Sequence, residues 1–164
     1  MITPPRYNDL RTSAKFDEIS FGSGGIRLFR LPEIEREQVG YSISQDGASL
    51  CKEGDGAWQP SWIVIGRETA CGDPLILETS DPALPVLFAI HGEGTWEPEV
   101  IAVSFDAFLA SLEEFARISA GRGNPAARDA NPMGERERDA FLTRISGLND
   151  QKIQIDFWEA LLEA

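Results

Sequence analysis

The sequence predicts an α+β fold: a mainly antiparallel, mixed sheet of about five to six strands in meander order, packed by helices and followed by a C-terminal helical hairpin. Three observations predict it. Short apolar runs bounded by Gly, Pro and Asp crowd residues 62–103, and their connections are too short for a crossover helix, so neighbouring strands must pair antiparallel. Phe105, Phe108, Leu109, Leu112, Phe115 and Ile118 then recur at helical spacings of three and four. Two more apolar stripes follow beyond residue 130, which places helices after strands and excludes alternating βαβ units.

Each element has its own signal. Tyr7, Leu10 and Ala14 share one face of a short helix, which Phe21-Gly22-Ser23-Gly24-Gly25 ends in a turn. Those glycines supply positive φ; they are no phosphate loop, since no Lys-Ser or Lys-Thr follows and no buried strand precedes. Ile26 to Leu31 reads as a strand, and Pro32 to Gln38 as one or two helical turns with proline near the start. Asp46-Gly47, between Tyr41–Ser44 and Ala48–Cys51, is the two-residue signal of a β-hairpin.

Trp62-Ile63-Val64-Ile65, Leu75-Ile76-Leu77 and Val86 to Ile90 follow as three strands whose apolar runs are continuous. A sheet with so little polar face is covered on both sides, or by helices on one side and a partner on the other. In the stretch 72–81, GDPLILETSD, the Gly72-Asp73-Pro74 turn marks where a strand begins. Val100 to Val103 is a last strand or a lead-in to the helix that Ser104 caps, with Asp106 at the positive end of its dipole. Residues 119–132 read as a flexible connection. Asn131-Pro132 opens a second helix carrying Phe141, Leu142, Ile145 and Leu148, and Asp150 opens a third carrying Ile153, Phe157, Trp158, Leu161 and Leu162.

With 164 residues the chain can bury one core, and 42% hydrophobic with 26% charged residues excludes disorder along most of its length. No apolar run is long enough to cross a bilayer and Met1 to Pro5 lacks a signal peptide's regions, so a cytoplasmic protein is expected, with no membrane partner. Cys51 and Cys71 form neither a disulfide framework nor a CxxC pattern and are expected as free, buried or half-buried thiols. Charge is more informative. Residues 61–118 hold 2 basic and 10 acidic residues, net −8 of a total of −12, while the segments on either side carry −2 each. That field repels nucleic acid and anionic lipid and speeds encounter with a basic partner.

A catalytic constellation is missing from the pattern. His91 stands alone, so a zinc site would need carboxylates for most of its ligands, and no Gly-x-Ser-x-Gly elbow exists. No catalytic residue, cofactor or metal ligand is assigned. Glu93, Glu97 and Glu99 cluster around Trp96, and Asp73, Glu78 and Asp81 lie in or beside the preceding turns. Such carboxylates beside an aromatic ring also suit a glycosidase or a hard cation, although EF-hand spacing is missing and acids are ordinary turn residues. Trp58, Trp62 and Trp96 sit at strand ends among these acids, where an exposed indole docks an arginine- or lysine-rich surface; core packing is the ordinary role for at least two of them. The candidate partner-binding residues are therefore Trp62, Asp73, Glu78, Asp81, Glu93, Trp96, Glu97 and Glu99.

The order WIVIGRETACGDPLILETSD, LPVLFAIHGEG and VIAVSFDAFLASL resembles the SUKH superfamily of cell-wall-synthesis regulators and bacterial relatives. The likeness rests on an apolar strand ending near glycine, the Gly-Asp turn, a strand ending in acids, a strand carrying Pro85-Val86 and His91, and the helix start at Ser104, Phe105, Phe108 and Leu109. It covers about residues 38–118. The resemblance implies an α+β binding domain, in many bacterial members an immunity protein that neutralises a secreted toxin, often a nuclease, and in fungal members a cell-wall regulator. It carries over no catalytic residue. The expected organisation is a core over 1–118 with the segment 119–164 packed on it, and the expected partner is a basic toxin domain, bound by a monomer or homodimer.

Overall fold

The structure, a computed structural model, describes residues 3–163. Its fold is α+β: six antiparallel strands in simple meander order, with helices before and after. Helix α1 (Pro5–Ser13) leads into the hairpin of β1 (Glu18–Phe21) and β2 (Gly24–Leu28). β1 was not foreseen, because the glycines close a hairpin where the end of a helix was expected. Gly25 pairs with Ser20 at φ 153°, and a Cβ there would lie 2.1 Å from the Ile19 carbonyl oxygen, so no other residue fits.

After β2 the chain passes through two 3₁₀ turns, Leu31–Glu33 and Arg36–Gln38, and a long loop before entering β3 (Trp62–Glu68). The expected hairpin at Asp46-Gly47 is there only as a turn. Ser44 N–H donates to the Ala48 carbonyl at 2.9 Å and Ile43 bridges Ser49, but no strands extend from it. Gln45, Asp46, Gly47, Ala48 and Ser49 at this turn are polar or small and exposed, so nothing buries a second sheet face there.

β3, β4 (Pro74–Glu78), β5 (Val86–Phe88) and β6 (Glu99–Ala102) continue the meander. The register places Ile63, Leu75, Leu77, Val86 and Phe88 on one face and Trp62, Val64 and Ile76 on the other. Helices cover the first face. The loop between β2 and β3 covers the second with Trp58, whose ring meets Trp62 edge-on at 5.5 Å. This double cover explains the unbroken apolar strands, and the second face is closed by the chain's own loop.

Helix α2 (Phe105–Ser119) starts where expected: the Ser104 hydroxyl accepts from Ala107 N–H at 3.0 Å. Phe105, Phe108, Leu112, Phe115 and Ile118 are all buried, and each contributes about 1.5–3 kcal/mol by leaving water. Tyr7 of α1 packs on Phe105 with ring centroids 4.8 Å apart. Buried Arg11 ties α1 to the end of β2 through the Phe29 and Leu28 carbonyls and Asp17.

The Gly- and Pro-rich segment after α2, expected as a flexible connection, carries helix α3 (Pro125–Ala130), capped by Asn124 with proline at the first helical position. Arg122 holds it down. Its guanidinium, buried to 6% exposure, donates to the Ile118 and Asn131 carbonyls and makes a two-pronged pair with Glu137. Helix α4 (Glu135–Leu148) then begins beyond the expected Asn131-Pro132. Helix α5 (Asp156–Glu163) begins beyond Asp150, because Asp150 and Gln151 take positive φ and stop a helix from forming there. Phe141, Ile145, Phe157, Trp158 and Leu161 join the same buried cluster as the strands.

Side chains engage two backbone groups in and just after β6, the last strand of the sheet. Trp158 Nε1 donates to the Ile101 carbonyl at 2.9 Å, and Val103 N–H donates to Asn149 Oδ1 at 3.0 Å. Groups that would otherwise recruit another strand are thereby occupied.

Candidate functional site

The β3–β4 turn, the end of β5 and the start of α5 meet around a groove of about 400 Å³. Its floor is apolar. Phe88 packs on Phe157 with ring centroids 4.7 Å apart, Leu161 continues the surface, and Ile90 stands 53% exposed beside them. The walls are acidic, with Glu68 and Asp73 on the β3–β4 side and Glu99 and Asp156 on the side of β6 and α5.

Local chemistry fixes these acids. Glu68 caps its own turn, accepting from the N–H groups of Ala70 and, at 2.8 Å, Cys71. Asp73 Oδ1 accepts from His91 N–H at 2.9 Å and lies 2.5 Å from His91 Nδ1, so it ties this turn to the end of β5. Burial pushes the Glu99 carboxyl above its ordinary range, and the Asp156 carboxylate adds to the shift. Among the described residues, Glu68, Glu99 and Asp156 have no ion pair with Lys or Arg, and Asp73 meets only His91. Five arginines are engaged elsewhere: Arg117 and Arg144 on Glu114, Arg138 on Glu159, and Arg36 and Arg67 on Glu37.

Glu68, Cys71 and Asp73 each offer a ligand atom within 4.8 Å of the other two, a donor set that suits a zinc-like cation. Both oxygens of Glu68 already accept backbone N–H groups. Cys71 is exposed and Cys51 half-buried, both as free thiols, so Cys71 lies further out than expected.

The eight residues nominated from the sequence fall in three places. Asp73 and Glu99 line the groove. Trp62 and Glu78 lie on the loop-covered face and engage each other, Trp62 Nε1 donating to Glu78 Oε2 at 3.0 Å. Trp62, expected at an exposed strand end, is buried to 9% because Trp58 packs over it. Burial pushes the Glu78 carboxyl up, but hydrogen bonds from Ser80, Ser61 and Trp62 outweigh this and hold it below the ordinary carboxylate value. Trp96 meets Trp58 at 5.0 Å and Tyr41 at 5.7 Å but stays half-buried, so it alone of these three indoles keeps a surface toward solvent.

Asp81, Glu93 and Glu97 are exposed in loops. Asp81 caps its own turn by accepting from Ala83 N–H at 2.8 Å. The loop 91–98 runs from His91 at the groove to Trp96 at the aromatic corner, with Glu93 and Glu97 along it. Glu99 lines the groove and Glu93 and Glu97 do not, so the three glutamates expected as a cluster are split by the strand.

Sequence reasoning missed Glu68, Asp156, Phe157 and Leu161 as groove residues. A local signal existed for α5, where Asp156, Phe157, Ala160 and Leu161 share a helical face that ends in an acid. Nothing local says that this face meets the β3–β4 turn. Comparison of the chain with family models, curated proteins and solved structures gives no match.

Proposed function

We propose that the chain is a non-enzymatic protein-binding domain of the SUKH type, a bacterial immunity protein that binds and neutralises a basic toxin domain through its acidic surface. One observation carries the reading: Arg36, Arg67, Arg117, Arg138 and Arg144 pair with acids elsewhere, while among the described residues no lysine or arginine pairs with the acids of the groove or of the loop 91–98. A field of this sign favours a cationic partner at a distance, and the half-exposed Trp96 offers an anchor where that partner lands. The experiment is to co-express the chain with the products of neighbouring genes and to measure association as salt rises. Binding that weakens with salt and slows in association when Glu93 and Glu97 become glutamine is the expected result. Tight association indifferent both to salt and to Trp96→Ala rejects this surface.

A further inference from the structure

The groove beside α5 brings two features together: exposed apolar surface, and acidic walls that no lysine or arginine meets. Ile90 keeps more than half its surface in water although it sits next to Phe88 and Phe157. Glu68 and Asp73 are more than nine-tenths buried, and their partners are backbone N–H groups and the His91 ring; among the described residues no lysine or arginine meets that wall. Charges withdrawn from water normally gain a counter-charge, and an apolar floor normally gains a cover.

We infer that this groove is a docking site for a partner segment in which an arginine or lysine stands beside a large apolar side chain. The basic group would lie between the Glu68–Asp73 wall and the Glu99–Asp156 wall, and its apolar neighbour would cover Ile90 and the half-buried Phe88. Both halves are needed. A charge alone finds better-hydrated acids on the loop 91–98, and an apolar group alone leaves the walls unneutralised. A space of about 400 Å³ lies at the lower end of ligand pockets and suits one or two side chains of a segment. Arginine fits better than lysine, because its planar donors reach two carboxylates at once and its face stacks on aromatic rings.

This site rests on the protein-binding reading above but is tested separately. The probe is a short capped peptide alternating leucine and arginine, titrated into the isotopically labelled full chain while backbone amide shifts are followed. Saturable shifts confined to Ala70–Asp73, Phe88–His91, Glu99 and Phe157–Leu161 are expected. Ile90→Ser, Glu99→Gln and Asp156→Asn should each weaken binding by roughly two- to fivefold. All three sites are exposed or half-exposed, and an unchanged amide spectrum elsewhere establishes that each variant folds.

Equal binding of a serine–arginine peptide, or shifts spread over the loop 91–98, would overturn the site in favour of general attraction to acid. Shifts that depend on protein concentration without peptide would overturn it in favour of a second copy of the chain. The same three variants are then tested against the neighbouring-gene partner. If that partner binds them as it binds the wild type, the groove fails and the protein-binding reading stands. If the peptide seats in the groove and no partner binds, the groove stands and the immunity reading fails.

Discussion

Gln38 and Val64 are hydrogen-bonded to each other as two strand residues are, although Gln38 lies in a 3₁₀ turn. Its side-chain Oε1 accepts from Val64 N–H at 2.9 Å, and its Nε2 donates to the Val64 carbonyl at 2.8 Å and to the Ile34 carbonyl at 2.8 Å. β2 pairs with β3 as far as Leu28 and Gly66, and Phe29 N–H adds one bond to the Ile65 carbonyl at 2.8 Å, so the carboxamide continues the ladder where the backbone pairing stops. Gln38→Leu leaves both Val64 groups buried and unpaired and should cost about 3 kcal/mol. The check is a chemical-denaturation midpoint, which for a cooperative unfolding transition falls accordingly.

Tyr7 presents the opposite case. Its ring is fully buried against Phe105, and its hydroxyl has no hydrogen-bond partner. Burial raises its pKa, with Arg11 opposing, so the phenol stays neutral. Tyr7→Phe removes the stranded hydroxyl and keeps the ring, and should stabilise the protein by about 1 kcal/mol in the same assay. A loss of stability would show that the hydroxyl has a partner after all.

Glu99 makes stability depend on pH with a sign opposite to that of most carboxylates. Its folded pKa lies above the ordinary 4.5, because of burial and then Asp156, so the folded state holds the proton more tightly than the unfolded chain. The stability it contributes is complete below that ordinary value and is lost as pH rises through the folded one. Glu99→Gln should therefore raise the denaturation midpoint at pH 7 and leave it nearly unchanged at about pH 4.

Arg122 holds the segment 119–134 on the body. Arg122→Met removes donors from two carbonyls and the pair with Glu137, for a loss of about 2–3 kcal/mol, discounted because Glu137 is partly exposed. Limited proteolysis should then cut within 119–134 before the rest of the chain. Glu137→Gln should cost less. Its carboxyl is held low by the hydrogen bond from Arg122 against burial, so its contribution is lost as pH falls through that lowered value.

Most of the sheet and the longest helix were legible in the sequence, because their signals are local. Gly72-Asp73-Pro74 ends one strand and starts another wherever it occurs, and the Phe105–Ile118 stripe has one face whatever it packs on. β1 was missed because Glu18-Ile19-Ser20-Phe21 is too short to show alternation, and its pairing is read only from what Gly25 must avoid. α3 was missed because Asn124-Pro125 looks like loop until Arg122 is seen to anchor it.

The site was legible in composition and not in place. The acid surplus of residues 61–118 told the sign of the surface, but Trp62 and Glu78 turned out to engage each other behind the loop. The groove is assembled from β3–β4, β5 and α5, three pieces that only tertiary packing brings together. Residues such as Phe88, half-buried at the groove, carry core-like signals in the sequence whether their far side meets protein or solvent.

The bond from Trp158 to β6 also sets a clock. Trp158 lies 57 positions beyond the Ile101 carbonyl that it protects. At a ribosomal pace of about 5–20 residues per second, that strand waits about 3–11 s before its guard emerges. In a nascent chain stalled within that interval, the Ile101 carbonyl is open to any strand that comes near.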